Sequence, residues 1–304
     1  MQNNNKDISI IILTKNEEKN INRCLSVCFS QKCDYSFEAI VIDSGSVDNT
    51  VEIAKKYPVK LILIKSEEFH HAGTRNLGAK IAKGDYLVYL AGDAYPASRN
   101  WLSRLISNFE DNDIAAIYGL QIPNRKTNPI NQFRIKWNYG SERIVKYKAL
   151  LPVQGPRLYY FSTANCAIRK SVWEQFKFPE NVPVYEDTAF IRNVINAGYK
   201  VVYEPEAKVY HAHNYSIWEI FRRYFDTGSI YKRLGYFSKA NGKLNKEGIR
   251  YLKSGINFLI EKGYCLWIPY FIIHTAAGFI GLSLGKYSNK LPVFMKKKFS
   301  QYGV

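Results

Sequence analysis

The chain has 304 residues, 46% of them hydrophobic, and 43 Lys and Arg against 26 Asp and Glu give a formal net charge of +17. That composition allows a packed core, argues against a disordered chain and favours anionic partners, with nucleic acid, anionic lipid and diphosphate-bearing substrates all open. Five cysteines with no C-x-x-C pair exclude a disulfide framework and are expected to be reduced, mostly buried thiols, as suits the cytoplasm.

The amino-terminal run MQNNNKD is polar and leads straight into an apolar segment, so no signal peptide is expected. Residues 8–14, ISIIILT, read as a buried strand, and the spacing of Ile21, Leu25 and Cys28 predicts a helix over 17–31. A second strand, EAIVID at 38–43, ends in the polar turn SGSVDN, and a helix is expected from about Thr50. LILI at 61–64 is a third strand, 74–83 a helix and YLVYLA at 86–91 a fourth strand. Strands alternating with helices predict an α/β fold with a mostly parallel sheet, whose ligands bind at the carboxyl ends of the strands. Further on, 115–123 reads as a strand, 128–150 as a Trp-, Tyr-, Arg- and Lys-rich helix, and 165–173 as a strand passing into a helix. A helix over 186–197 ends at Gly198, strand-like segments run to His211, and from about 214 the chain reads as helical, interrupted at 235–248. A catalytic domain over 1–215 and a helical region over 216–304 are expected. No repeat and no low-complexity segment is present.

The chemistry gathers at the ends of these strands. Asp43 and Asp48 flank the turn after the second strand, where a carboxylate can accept from a base or a ribose hydroxyl; Asp48 can equally cap the next helix. Asp93, just past the fourth strand, can hold a divalent cation bridging two phosphates, or begin the turn toward Pro96. Glu186 and Asp187 open a helix, where the dipole favours acids in any case, yet paired carboxylates can also divide the work of a general base. His211 and His213 share one face at strand spacing, and one of them is a candidate metal ligand. Arg75 can meet a phosphate or hold an acidic neighbour.

Taken in order, SIIILTKNEEKNI, VIDSGSVDNT, FHHAGTRNLGAKIAKGDYLVYLAGDAYP, YGLQIP, NCAIRKSVW, YEDTAF and HAHNYSIWEIFRRYFDTG resemble glycosyltransferase family 2 over roughly residues 8–235. The late HAHNYS and the aromatic-basic helix after it resemble the family's rhamnosyltransferase branch in particular. The resemblance implies a GT-A fold, a Rossmann-like nucleotide-sugar-binding domain followed by a helical region. It implies that Thr14, Asp43 and Arg75 contact the nucleotide, with Asp48 in the same turn. Asp93 would be the last residue of the DxD metal motif, His211 or His213 would complete the shell of Mg²⁺ or Mn²⁺, and Asp187 would be the catalytic base beside Glu186. Many relatives carry two or three acids where this chain reads Ala91-Gly92-Asp93, which implies a weaker metal site.

The activity so implied is inverting transfer of L-rhamnose from dTDP-L-rhamnose to a saccharide acceptor, free or polyprenyl-linked, in cell-surface polysaccharide synthesis. A UDP-hexose or UDP-N-acetylhexosamine donor is the alternative, and a non-catalytic sugar-binding or scaffold protein is the alternative of another class. No nucleic-acid motif occurs, so the positive charge is assigned to pyrophosphate and anionic lipid. Residues 264–285 contain no Asp, Glu, Lys or Arg. That is near the length of a membrane span, but Pro269, His274 and several glycines suit a segment lying in the interface. The expected location is therefore cytoplasmic, peripheral to the inner face of the cell membrane, with a buried helical hairpin and a true span as the other possibilities.

Overall fold

The computed structural model describes residues 7–151, 155–235 and 241–303. The first six residues of the polar amino-terminal run and residues 236–240 of the interrupted stretch lie outside the described residues. The chain divides into two compact units, one of Met1–Ile122, Gly140–Asn181 and Glu186–His211, the other of Pro123–Tyr139, Val182–Tyr185 and Ala212–Val304.

The first unit is built on one nine-stranded sheet in the order β3-β2-β1-β4-β8-β6-β9-β5, with β7 also paired to β9. Its strands are β1 (Ile8–Thr14), β2 (Phe37–Asp43), β3 (Val59–Leu63), β4 (Tyr86–Ala91), β5 (Tyr95–Pro96), β6 (Ile114–Ile122), β7 (Ile144–Lys146), β8 (Asn165–Arg169) and β9 (Lys200–Tyr210). β1 is apolar along nearly its whole length because both of its faces are covered, the signature of a central parallel strand. It pairs in parallel with β2 and β4, and β2 with β3, while β8 runs antiparallel to both β4 and β6. The helices of this unit are α1 (Ile21–Phe29), α2 (Thr50–Ala54), α3 (His71–Ile81), α4 (Trp101–Ile106), α6 (Lys170–Phe176) and α7 (Glu186–Asn196). Ile10, Ile12, Leu25, Val41, Val88 and Trp101 are among the residues of its main apolar core. The indole N–H of Trp101 donates to Asn165 Oδ1 at 2.8 Å, and Asn165 Nδ2 donates to Ala207 O at 2.8 Å. This buried amide thus ties α4, β8 and β9 together with its donors satisfied.

The sequence predicts helix throughout 128–150, and the structure departs from that. α5 (Pro129–Asn138) starts where Asn128 accepts the Asn131 N–H at 2.9 Å and Pro129 occupies the first turn. Tyr139 is extended, Gly140 follows, and the β-branched pair Ile144-Val145 then forms β7 against β9. Helical content in the composition is overridden there by an available sheet edge.

The second unit is helical: α5, α8 (Ile217–Arg233), α9 (Asn241–Glu261), α10 (Ile268–Gly285) and α11 (Val293–Phe299). A capping box starts α8, with Ser216 accepting from Glu219 N and the Glu219 carboxylate accepting from Ser216 N. α8 and α10 meet backbone to backbone. A Cβ on Gly281 would lie 2.3 Å from Phe221 O, and one on Gly285 1.9 Å from Phe225 O, so only glycine fits at either place. Ile130, Phe133, Phe258, Leu259 and Phe271 make the apolar cluster of this unit. Asp226, buried on α8, accepts from Gln301 N at 2.8 Å and Tyr302 N at 3.1 Å, which holds that carboxy-terminal turn.

Cys24, Cys28 and Cys166 are buried, Cys33 is half-buried and Cys265 exposed, all as free thiols.

Candidate functional site

Register sets the site. Thr14 pairs with Asp43 and Leu13 with Ala91, so β1, β2 and β4 end side by side. Ser44 N donates to Thr14 O and Gly92 N to Leu13 O, both at 3.0 Å, which locks the first residues beyond each strand. Asp43 is almost fully buried and accepts from Ser46 N at 2.8 Å and from the Ser46 hydroxyl. Thr14 Oγ1 and Ser44 Oγ are buried without a hydrogen-bond partner among the described residues. An unpaired buried hydroxyl costs about 1–3 kcal/mol, so the two mark a surface suited to the polar edge of a ligand.

Gly92, the middle residue of Ala91-Gly92-Asp93, has no room for a side chain. A Cβ there would lie 2.8 Å from Thr14 Oγ1 and 3.0 Å from Leu13 O, so a second carboxylate at this position would collide with the floor of the site. Asp93 follows it. His211 Nε2 stands 3.3 Å from Asp93 Oδ1, while His211 Nδ1 is 2.8 Å from Gln121 Oε1. With Nδ1–H donating to the Gln121 carbonyl, Nε2 presents its lone pair toward the carboxylate, the arrangement of a metal-binding imidazole. Gln121 Nε2 donates in turn to Ser162 Oγ at 2.7 Å, consistent with that amide orientation. One carboxylate oxygen and one imidazole nitrogen, held by a neighbouring amide, are a donor set that suits a divalent cation. His213 belongs to the second unit, where its ring lies 5.6 Å from that of Tyr215.

Asp48 has a different occupation. Its Oδ2 accepts Glu18 N at 3.1 Å and its Oδ1 accepts Thr50 N at 3.0 Å, at the start of α2. Desolvation acts to raise its pKa, but these bonds and that of the Thr50 hydroxyl outweigh it and hold the carboxyl below its ordinary range. Glu17, which the sequence analysis passes over, has its carboxyl raised, first by burial and then by Asp93 and Asp48. Its signal was the acid pair Glu17-Glu18, which follows β1 after Lys15 and Asn16.

Arg75 lies on α3 and its NH1 reaches Glu186 Oε1 at 2.6 Å, with both side chains largely buried. Asp187 sits beside that pair at the start of α7, half-buried, and accepts Thr188 N at 2.7 Å. Burial, and then the adjacent Glu186, raise its carboxyl to about 7, with Arg75 opposing them. A carboxyl in that range both holds and releases a proton near neutrality, as a general base requires.

The family model for glycosyl transferase family 2 matches residues 9–176. The chain is 37% identical over 276 residues to the O-antigen chain rhamnosyltransferase WbaN of Salmonella anatum, across 90% of this chain and 87% of that one. It is 39% identical over 275 residues, with the same coverage, to the O-antigen chain rhamnosyltransferase RfbN of Salmonella typhimurium. Among solved structures, a mannosyltransferase from Pyrobaculum calidifontis in complex with GDP-Man and Mn²⁺ superposes with a TM-score of 0.59 at 18% identity, covering 91% of this chain and 87% of that one. The S. aureus TarS fragment 1-349 in complex with UDP-GlcNAc gives 0.54 at 19%, covering 93% and 91%. At such identities these two likenesses show the fold alone, and the fold is GT-A.

Proposed function

The chain belongs to glycosyl transferase family 2 and is a glycosyltransferase, and from that premise we propose that it transfers L-rhamnose from dTDP-L-rhamnose, with inversion, to a saccharide acceptor in polysaccharide synthesis. What supports rhamnose is the identity of more than a third to two rhamnosyltransferases over most of their length. The observation that carries the chemistry is Asp187, a desolvated carboxylate raised toward neutrality in the same unit as the strand ends.

In the proposed step, Asp187 removes the proton of an acceptor hydroxyl as that oxygen attacks the anomeric carbon. The bond from that carbon to the diphosphate breaks, and dTDP leaves with the electron pair. Glu186, fixed by Arg75, keeps the neighbouring negative charge that makes Asp187 basic. Thr14, Ser44 and Asp43 face the nucleotide, and Asp48 keeps the turn that carries Asp43 in shape. Asp93 and His211 would hold Mg²⁺ or Mn²⁺, with His213, two residues further along the chain, as the other imidazole the sequence offers. When bound, the ion offsets negative charge on the departing diphosphate.

Residues 1–215 are proposed as the catalytic domain and 216–304 as the helical, membrane-associating region on the cytoplasmic face. α10 supports this: Phe271, His274, Gly278, Gly281 and Gly285 are buried, whereas Ile273, Phe279 and Ile280 are each more than half exposed. Cys265–Gly285 is long and apolar enough to cross a membrane, and Lys286, Lys290 and Lys296–Lys298 follow it. An interfacial position keeps those lysines at anionic headgroups, each contributing about 1 kcal/mol. It also places the chain at the membrane, where a polyprenyl-linked acceptor is held.

Transfer assays with dTDP-rhamnose and lipid-linked saccharides test the activity. Efficient use of a UDP-sugar with no use of dTDP-rhamnose overturns the donor. Fractionation tests the location: the protein should sediment with membranes and be released by high salt or carbonate. Recovery in the soluble fraction at low salt would contradict it.

A further inference from the structure

The sequence segments rich in arginine and aromatic residues, 128–150 and the stretch after HAHNYS, are not used by the proposed chemistry. Within the second unit they converge on one ring. The guanidinium carbon of Arg134, on α5, lies 4.8 Å from the centroid of Tyr215, and that of Arg223, on α8, lies 4.5 Å from the same centroid. Neither arginine makes an ion pair with a carboxylate among the described residues. Arg134 Nε donates to Asn131 Oδ1 at 3.1 Å, and Arg223 NH1 donates to the Tyr302 hydroxyl at 2.8 Å, both neutral acceptors. A guanidinium has five N–H donors, so most of each fork has no acceptor among the described residues.

The acids of this neighbourhood spend their hydrogen bonds elsewhere, although the Glu219 charge acts on Arg223 through space. Glu219 accepts from Ser216 N and the Ser216 hydroxyl at 2.8 and 2.7 Å, and Asp226 accepts from Gln301 and Tyr302 N. The contrast is Arg75, whose charge is met directly by Glu186. Two like charges half-buried against one ring, with Glu219 acting on Arg223 only through space and no carboxylate in ion-pair contact with either arginine among the described residues, are an unfavourable arrangement unless an anion joins them. Guanidinium forks match phosphate oxygens in a bidentate way, and a tyrosine face holds them in place by cation–π attraction.

We propose that Arg134 and Arg223, set on Tyr215, form a binding site for a diphosphate group that is separate from the donor nucleotide. Its natural source, the diphosphate linkage of a lipid-linked acceptor, rests on the glycosyl-transfer reading above; the anion site itself does not.

The test is calorimetric titration of the full chain with inorganic pyrophosphate at fixed salt, in the presence of saturating dTDP. One site per chain is expected, at least ten-fold tighter than for inorganic phosphate. Arg134→Met and Arg223→Met should each weaken it ten-fold or more, and joint Lys296→Ala, Lys297→Ala and Lys298→Ala should leave it unchanged. Arg223→Lys keeps charge and packing, so weakened binding in that variant, with unaltered thermal unfolding, attributes the loss to the fork and not to misfolding. Displacement of pyrophosphate by dTDP overturns the proposal, as do equal binding of phosphate, unchanged binding in Arg134→Met, or an equal loss in the lysine variant. Pyrophosphate binding in a protein that transfers no rhamnose would leave this site standing while the donor assignment fell.

Discussion

Asp48 and Asp187 carry the same functional group into opposite surroundings within the first unit. Asp48 accepts two backbone N–H groups and a hydroxyl in the turn before α2, which stabilise its charged form and hold its proton affinity low. Asp187 is drawn out of water next to a second carboxylate, and both influences favour the protonated form. The difference teaches that a carboxylate bound by its own backbone shapes a turn, while one crowded by burial and like charge retains the basicity that chemistry needs. The comparison can be broken or sharpened by experiment.

The largest effect is expected at Asp187. Asp187→Asn keeps the shape and removes the proposed base, so turnover should fall by roughly 10²–10⁴ while dTDP binding persists. Near-normal turnover would remove Asp187 from the mechanism. Because its folded pKa lies above the unfolded value of about 3.9, its contribution to stability is full below that value and is lost as pH rises through about 7. At pH 8, Asp187→Asn should therefore unfold at a temperature no lower than the parent.

Next comes the metal pair. Gln121→Leu removes the acceptor that fixes the His211 tautomer, and Mn²⁺ affinity should drop about 10–100-fold in direct binding measurements. Asp93→Ala should lose more. Full activity of Asp93→Ala in excess EDTA would exclude this pair from the reaction.

A smaller effect separates the charges around Asp187. The rate at limiting substrate should rise with pH through an acid limb near 7, since the base works only when ionised. Glu186→Gln removes a like charge and should move that limb to lower pH. Arg75→Met removes the opposing cation and should move it higher. Shifts in the reverse directions would mean that another group titrates.

Much of this frame was legible because central parallel strands must be apolar on both faces, so ISIIILT, EAIVID and YLVYLA declare themselves and their ends follow. Asp43 and Asp93 became candidates for that reason, and Asp187 as one of two acids opening a helix. The partnerships were not legible. Arg75 and Glu186 meet across 111 positions of chain, and Gln121 and His211 across 90. Local spacing carries no information at such separations. β7 was missed because the segment holding it has helical composition, and only the free edge of β9 decides its state. That a Cβ at Gly92 would lie 2.8 Å from the Thr14 hydroxyl likewise depends on the packing of β1 against β4.

The smallest expected effect is at Asp48, and it tests the other half of the comparison. If Asp48 serves the turn, Asp48→Ala removes a helix-start acceptor and should cost about 1 kcal/mol of stability, read as a shift in the urea midpoint with unchanged slope. Asp48→Asn should recover part of that, because an amide oxygen can still accept Thr50 N. Donor KM should change by no more than about three-fold in either variant, since the carboxylate touches the nucleotide only through the turn it supports. Asp43 provides the internal contrast. Its carboxylate also holds its turn, through Ser46, but it lies at the strand end beside the Thr14 and Ser44 hydroxyls, which have no hydrogen-bond partner among the described residues. Asp43→Asn should therefore raise donor KM well beyond the Asp48 variants. If Asp48→Ala instead raises donor KM as much as Asp43→Asn while leaving the urea midpoint in place, Asp48 contacts the nucleotide directly and the division between turn-shaping and working carboxylates fails at that residue.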